Sequence, residues 1–107
     1  MEPLELSFST NWNMKLDCQA FTTLRIFSAK HHVPGRPVKI TMKGHELAKG
    51  RIEAVKAFHI DKLSPYISYL DTGYSVEECK NILKRMYSQV NWDRTELALI
   101  LIVKDKK

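Results

Sequence analysis

Cysteine is scarce: Cys18 and Cys79 are the two thiols in 107 residues. Two cysteines so far apart are no disulfide framework, and two thiols cannot close a zinc site alone. Reduced thiols in a cytoplasmic protein are the expectation. Glycine and proline are also few, four of each. There is no low-complexity tract, interdomain linker or glycine-rich phosphate loop; Gly44 and Gly50 read as hairpin glycines. No apolar run approaches the roughly 18 residues of a membrane helix, and the longest, Leu97 to Val103, is strand-sized. The opening Met1-Glu2-Pro3-Leu4-Glu5 carries acids where a secretory leader carries bases, so no leader is predicted. His31, His32, His45 and His59 show no paired ligand spacing with an acid. No Ser-His-Asp order or Cys-His pair is evident, so neither a metal nor another cofactor is expected.

What is present is one domain's worth of core and an uneven charge. The chain is 44% hydrophobic and 27% charged, which supports a packed single domain over residues 1–107 and disfavours disorder. The net charge is +5. Residues 25–56 hold eight bases (Arg25, Lys30, Arg36, Lys39, Lys43, Lys49, Arg51, Lys56) against Glu46 and Glu53, or +6, leaving −1 for the remainder. A concentrated basic stretch suits phosphate-rich partners such as RNA or nucleotides. It equally suits a solvated basic face that serves solubility.

The apolar pattern predicts the elements. Leu4 to Ser9 alternates as a half-buried strand. Thr10 to Gln19 fits either a helical turn or an extended loop. Ala20 to Phe27 predicts a strand with Thr22, Leu24 and Ile26 on one face and Phe21, Thr23, Arg25 and Phe27 on the other. Pro34-Gly35 marks a turn. Val38 to Met42 is the next strand, followed by a predicted hairpin connection over Lys43 to Gly50. Arg51 to His59 returns as a strand with Ile52, Ala54 and Phe58 on one face and a bulge near Val55. A short helix, capped by Ser64 with Pro65 in its first turn, places Leu63, Ile67 and Leu70 on one stripe and ends at Gly73. The Ser75/Glu78 capping box opens a second helix to about Tyr87, with Val76, Cys79, Ile82, Leu83 and Met86 as its buried stripe. Glu96 to Lys104 is a closing strand, apolar on both faces. The predicted fold class is α+β: a highly curved sheet or barrel of about five or six strands with two helices packed at one opening.

Three strings in this order resemble the ASCH family of the PUA-like superfamily. Phe21-Thr22-Thr23-Leu24-Arg25 is similar to the family's Lys-Thr-x-Thr-x-Arg strand. The basic turn through Gly35 with Val38-Lys39-Ile40 is similar to its Gly-Asp-x-hydrophobic strand start. Asp71-Thr72-Gly73-Tyr74-Ser75-Val76-Glu77-Glu78, leading into Lys84-Arg85-Met86-Tyr87, is similar to its Asp-Gly-Phe/Tyr-x-Ser-x-x-Glu helix start and Tyr-ending helix. The resemblance implies a PUA-like barrel with a cleft between barrel and helices that binds RNA or modified bases. One small bacterial branch hydrolyses N4-acetylcytidine with a lysine, a threonine nucleophile and a downstream acid. Carried over by position, the threonine is Thr23, the arginine Arg25 and the acid falls near Thr72, beside Asp71. The lysine falls at Ala20 or Gln19, and neither side chain can move a proton as a lysine does. A threonine hydroxyl is a poor nucleophile until a base takes its proton, so the base would have to be Lys15, Lys39 or Lys43.

The expected function is therefore a non-enzymatic module whose basic cleft holds RNA, a nucleotide or a modified base. The alternative is a small amidohydrolase using Thr23 and Asp71. The candidate binding residues are Thr23, Arg25, Lys39, Lys43, Asp71 and Tyr74. Arg25 offers a planar fork to a phosphate or base edge, or pairs with an acid such as Asp71. Tyr74 stacks on a base or holds the turn as a core aromatic. Trp12 and Trp92 read as packing residues. The chain is expected to act as a monomer, away from membranes.

Overall fold

The computed structural model describes residues 2–106. Five strands form one sheet: β1 (Leu4–Phe8), β2 (Ala20–Ile26), β3 (Pro37–Met42), β4 (His45–His59) and β5 (Glu96–Lys104), in the spatial order β1-β3-β4-β5-β2. β1 runs parallel to β3, and the other neighbours are antiparallel. Two helices, α1 (Pro65–Thr72) and α2 (Val76–Met86), connect β4 to β5. The mixed α+β class and the curl of the sheet agree with the sequence reading, but the barrel is not closed. β1 and β2 are unpaired edges, so the sheet is a five-stranded half-barrel with a seam between them. No described helix is long and apolar enough to cross a membrane.

β5 explains the double-sided core. Ala98, Ile100 and Ile102 face the concave side with Leu6, Phe8, Phe21, Val38, Ile40 and Ile52. Leu97 turns to the other side, where Leu24, Phe58, Leu63, Cys79 and Leu83 pack beneath the helices. A strand covered on both faces has to be apolar at every position. Each fully buried Ile or Leu contributes roughly 1.5–3 kcal/mol, which makes this strand the spine of the domain.

Three predicted details change. The hairpin turn is only Lys43-Gly44, both at positive φ (51° and 84°), and β4 already begins at His45. The β4 bulge lies between Ile52 and Ala54, earlier than expected. The extra residue, Glu53, reverses the alternation. Ile52 therefore faces the concave core while Phe58 packs under the helices. On α1, Leu70 is 72% exposed, whereas Ser68 and Asp71 are buried. That helix turns a polar face inward, because Asp71 finds partners there.

At Gly50 a Cβ would lie 2.4 Å from the Val103 carbonyl oxygen, a backbone atom of the paired strand. Overpacking of this kind costs roughly 1–3 kcal/mol. Gly50→Ala is expected to lower the chemical-denaturation midpoint accordingly, whereas Gly35→Ala, with open space around it, is limited to its backbone strain. Equal stability of Gly50→Ala and the wild type would contradict the close approach.

Candidate functional site at the sheet seam

The seam between β1 and β2 is spanned by side chains instead of a hydrogen-bond ladder. Arg25 of β2 donates from Nη2 to the Ser7 carbonyl oxygen of β1 at 2.9 Å. Its Nε donates to Thr23 Oγ1 at 3.2 Å. The guanidinium lies 4.7 Å from the centre of the Phe8 ring, a cation–π arrangement that favours the charged form. Two hydrogen bonds and a ring hold the planar fork in one orientation. Strand alternation accounts for the pair: Thr23 and Arg25 share the concave face of β2, as the sequence pattern predicts.

The opposite face of β2 meets α1. Thr22 Oγ1 donates to Asp71 Oδ1 at 2.8 Å. Lys15 Nζ reaches the same carboxylate oxygen at 3.1 Å, in an ion pair whose side chains are 7% and 3% exposed. The acid's partner is therefore Lys15; no hydrogen bond or ion pair joins it to Arg25. Burial pushes the Lys15 amine below its ordinary pKa, opposed by Asp71, with the Arg25 charge adding to the fall. Burial likewise pushes the Asp71 carboxyl up, opposed by Lys15 and by the Thr22 hydrogen bond. Burial also lowers the Arg25 pKa, although a guanidinium remains protonated in proteins. The shared cause is loss of water around charge.

Lys15 arrives by an unusual backbone route. It lies in a 3₁₀ segment, Trp12–Asp17, in which Asn13 (φ 54°, ψ 27°) and Met14 (φ 57°, ψ 20°) are both left-handed. Such conformations cost on the order of 1–3 kcal/mol each for residues other than glycine. Asn13 tolerates it best, and its side-chain amide donates to the Tyr69 and Leu70 carbonyl oxygens at the end of α1. Gly73, at φ 81°, caps α1 there and packs against the Asn13 side chain. The Leu16 amide is held by Asn11 Oδ1, and Lys104 Nζ donates to the Leu16 carbonyl. This strap is therefore tied to α1 and to β5, with Lys15 turned inward between them.

These groups line one cleft of about 90 Å³, bounded by Ser7, Phe8, Thr23 and Arg25 of the sheet, Lys15 of the strap and Asp71 of α1. Trp12 stands at one wall, and Ile82 and Met86 of α2, with Tyr87 just past its end, close the other. Three of the six predicted site residues, Thr23, Arg25 and Asp71, thus converge. Lys39 and Lys43 do not line the cleft. Lys39 stands opposite Glu5 and Lys49 in the sheet, and the Lys43 turn touches the site only through its amide, which donates to the Phe8 carbonyl oxygen. Tyr74, 40% exposed, stands outside, edge-on to Trp12 with ring centres 5.9 Å apart. The sequence reading named Lys15 as one of three possible bases without choosing it. A lysine set between the apolar neighbours Met14 and Leu16 was the available signal. Ser7, Trp12 and Tyr87 were missed as cleft residues because their placement depends on the seam. Burial raises the Cys79 thiol at the cleft wall, which makes it a poor nucleophile.

No family model matches the chain, and no curated protein matches it. Among solved structures, the chain is similar to protein EF3133 of Enterococcus faecalis V583, of family DUF984. The TM-score is 0.69 and the identity 14%, covering 97% of this chain and 80% of that one. The likeness is one of fold.

Proposed function

We propose that the cleft binds a nucleobase-type ligand, free, in a nucleotide or in RNA, and that the chain is an ASCH-like, PUA-like domain. The observation that carries this reading is the convergence of Thr23, Arg25, Lys15 and Asp71 on one small cleft. A planar heterocycle presents donors and acceptors along its edge. The oriented Arg25 fork and the Thr23 hydroxyl supply matching partners, while Phe8 and Ile82 give apolar walls. The bases of β3, β4 and their turn do not line the cleft and add to this reading only through the general attraction of a basic surface for phosphate.

Titration with N4-acetylcytidine and with a single-stranded RNA, at low and at high salt, tests the reading. Arg25→Ala is expected to weaken binding by roughly 10- to 100-fold, the range for losing hydrogen bonds to a charged group. Arg25→Lys, which keeps the charge and loses the fork, is expected to fall between. Absence of binding at low salt, or equal binding by wild type and Arg25→Ala, would remove the proposal.

A second reading has its own support, the buried Lys15 and Thr23 lining the same cavity. In an amidohydrolase, Thr23 Oγ attacks the acyl carbonyl carbon while its proton passes to the neutral Lys15 amine. The C–N bond then breaks, the leaving amine takes that proton, and water hydrolyses the Thr23 ester. Burial pulls the Lys15 pKa down toward what such a base requires, while Asp71 opposes the fall, so the base acts through the fraction of amine that is neutral. Incubation with N4-acetylcytidine distinguishes binding from turnover: cytidine and acetate appear in the second case, and neither Thr23→Val nor Lys15→Met produces them.

A further inference from the structure

A second, outer groove of about 290 Å³ is lined by Trp12, Tyr74, Glu78, Asn81, Ile82 and Arg85. Trp12 and Ile82 also border the seam cleft, but the outer groove has a chemistry of its own. The Trp12 and Tyr74 rings stand 5.9 Å apart, centre to centre, with their planes at 72°. Two rings nearly at right angles make a corner. Each ring face carries the negative lobe of its quadrupole, so the corner attracts a cation. A methylated ammonium suits it best. Its charge is spread over methyl groups that give up water readily and pack on aromatic faces, whereas a primary ammonium keeps its hydration.

The charged groups of the groove sharpen this. Glu78 and Arg85 belong to the first and last turns of α2, about 10 Å apart along its axis. Both are exposed, and neither forms an ion pair among the described residues. Glu78 accepts a hydrogen bond from Ser75 Oγ at 3.0 Å, yet a carboxylate has about four acceptor positions and keeps its charge. The helix dipole accounts for an acid at the start and a base at the end. It does not account for an aromatic corner in the same groove. A simple cation is drawn to Glu78 and repelled by Arg85, and a simple anion meets the reverse. A zwitterion is opposed at neither end. Asn81, one turn past Glu78, offers a donor and an acceptor to whatever joins the two charges.

We infer that the outer groove binds a small zwitterion with a methylated ammonium head, of the phosphocholine type. The trimethylammonium sits in the Trp12/Tyr74 corner beside Glu78, and the phosphate is held by Arg85. The inference does not depend on the base-binding reading of the seam cleft.

The test is calorimetric titration with phosphocholine, with choline and with 3,3-dimethylbutanol, the uncharged carbon isostere of choline. Phosphocholine is expected to bind most tightly, choline less so, and the isostere least. Trp12→Leu and Tyr74→Leu are each expected to weaken phosphocholine binding roughly 2- to 30-fold, the range of one cation–π contact. Trp12→Phe, which keeps a ring for packing, is expected to lose less. Glu78→Gln keeps an acceptor for Ser75 and is expected to weaken both cations. Arg85→Ala is expected to remove the advantage of phosphocholine over choline. Arg25→Ala, which alters only the seam cleft, is expected to bind phosphocholine as the wild type does. Circular dichroism checks that each variant is folded. Co-sedimentation with phosphatidylcholine vesicles tells whether the same head is also taken from a lipid. Three results overturn the inference: no binding of phosphocholine, binding of the uncharged isostere as tight as that of choline, or inorganic phosphate binding as tightly as phosphocholine. A loss in Arg25→Ala equal to that in Trp12→Leu overturns it too, since the ligand then lies in the seam cleft. None of these results bears on nucleobase binding, which is read with N4-acetylcytidine.

Discussion

Lys15→Met and Asp71→Leu are each expected to destabilise the protein by about 3–5 kcal/mol, and the double variant is expected to recover most or all of that loss. Removing one member of a buried ion pair leaves an uncompensated charge in a poorly solvated site, whereas replacing both by apolar groups of similar size is often neutral or stabilising. Here both side chains are under 10% exposed, so water gives little relief to the survivor. In Lys15→Met the carboxylate keeps the Thr22 hydroxyl, which makes this the milder of the two single losses. In the double variant Thr22 is half-buried and can turn its hydroxyl to solvent. Urea denaturation of the four proteins closes the cycle. A double variant that loses the sum of the two single losses would mean a coupling energy of zero, so that Lys15 and Asp71 do not interact as the buried ion pair requires. Recovery of stability together with loss of ligand binding is the signature of a pair retained for chemistry.

Wild-type stability is expected to show a shallow trough at intermediate pH that the double variant lacks. The sign follows from each partner. The Asp71 carboxyl is raised above its ordinary 3.8 by burial, so between 3.8 and the raised value the folded state holds a proton that the unfolded chain has lost. Stability falls as pH rises through that window. The Lys15 amine is lowered from its ordinary 10.5, again by burial, so between the lowered value and 10.5 the unfolded chain holds the extra proton. Stability therefore rises with pH through that window. Between the two windows both groups are charged in both states, and the cost of burying them is fully present. The check is the difference in unfolding free energy between wild type and Lys15→Met/Asp71→Leu across the pH range, which cancels groups common to both. His32, lowered by burial and by the charges of Arg25, His31 and Arg36, is one of these. A difference curve that peaks at neutral pH would mean the pair is net stabilising, and a flat one would mean that neither pKa is displaced.

Much of the local structure was legible from short-range chemistry. The Ser64–Pro65 start and Gly73 end of α1, the Ser75/Glu78 start of α2, and the bounds of β2 and β5 rest on caps, fixed dihedrals and strand alternation, all of which act within a few residues. The face assignment of Thr23 and Arg25 belongs to the same class. The single-residue bulge at Glu53 was misplaced, because an extra residue is tolerated by the pairing partner and carries little mark of its own. The polar face of α1 was misread for a related reason. Leu70 has the apolar pattern of a buried residue, but the interior position goes to Asp71, whose partners lie 49 and 56 residues away.

By itself, then, the sequence determined an α+β fold with a curved sheet, two capped helices, a double-sided closing strand and a Thr23/Arg25 face. These features depend on dihedral preference, side-chain periodicity and the transfer of apolar groups from water, and each is written residue by residue. Only the tertiary structure decided that the barrel stays open, that Arg25 bridges the seam to Ser7, and that Lys15 is the lysine facing Asp71 while Lys39 and Lys43 stay outside. Those outcomes depend on which distant groups meet after the chain has folded. An ion pair across 56 residues has no local pattern, since its strength comes from the low-dielectric surroundings that folding itself creates.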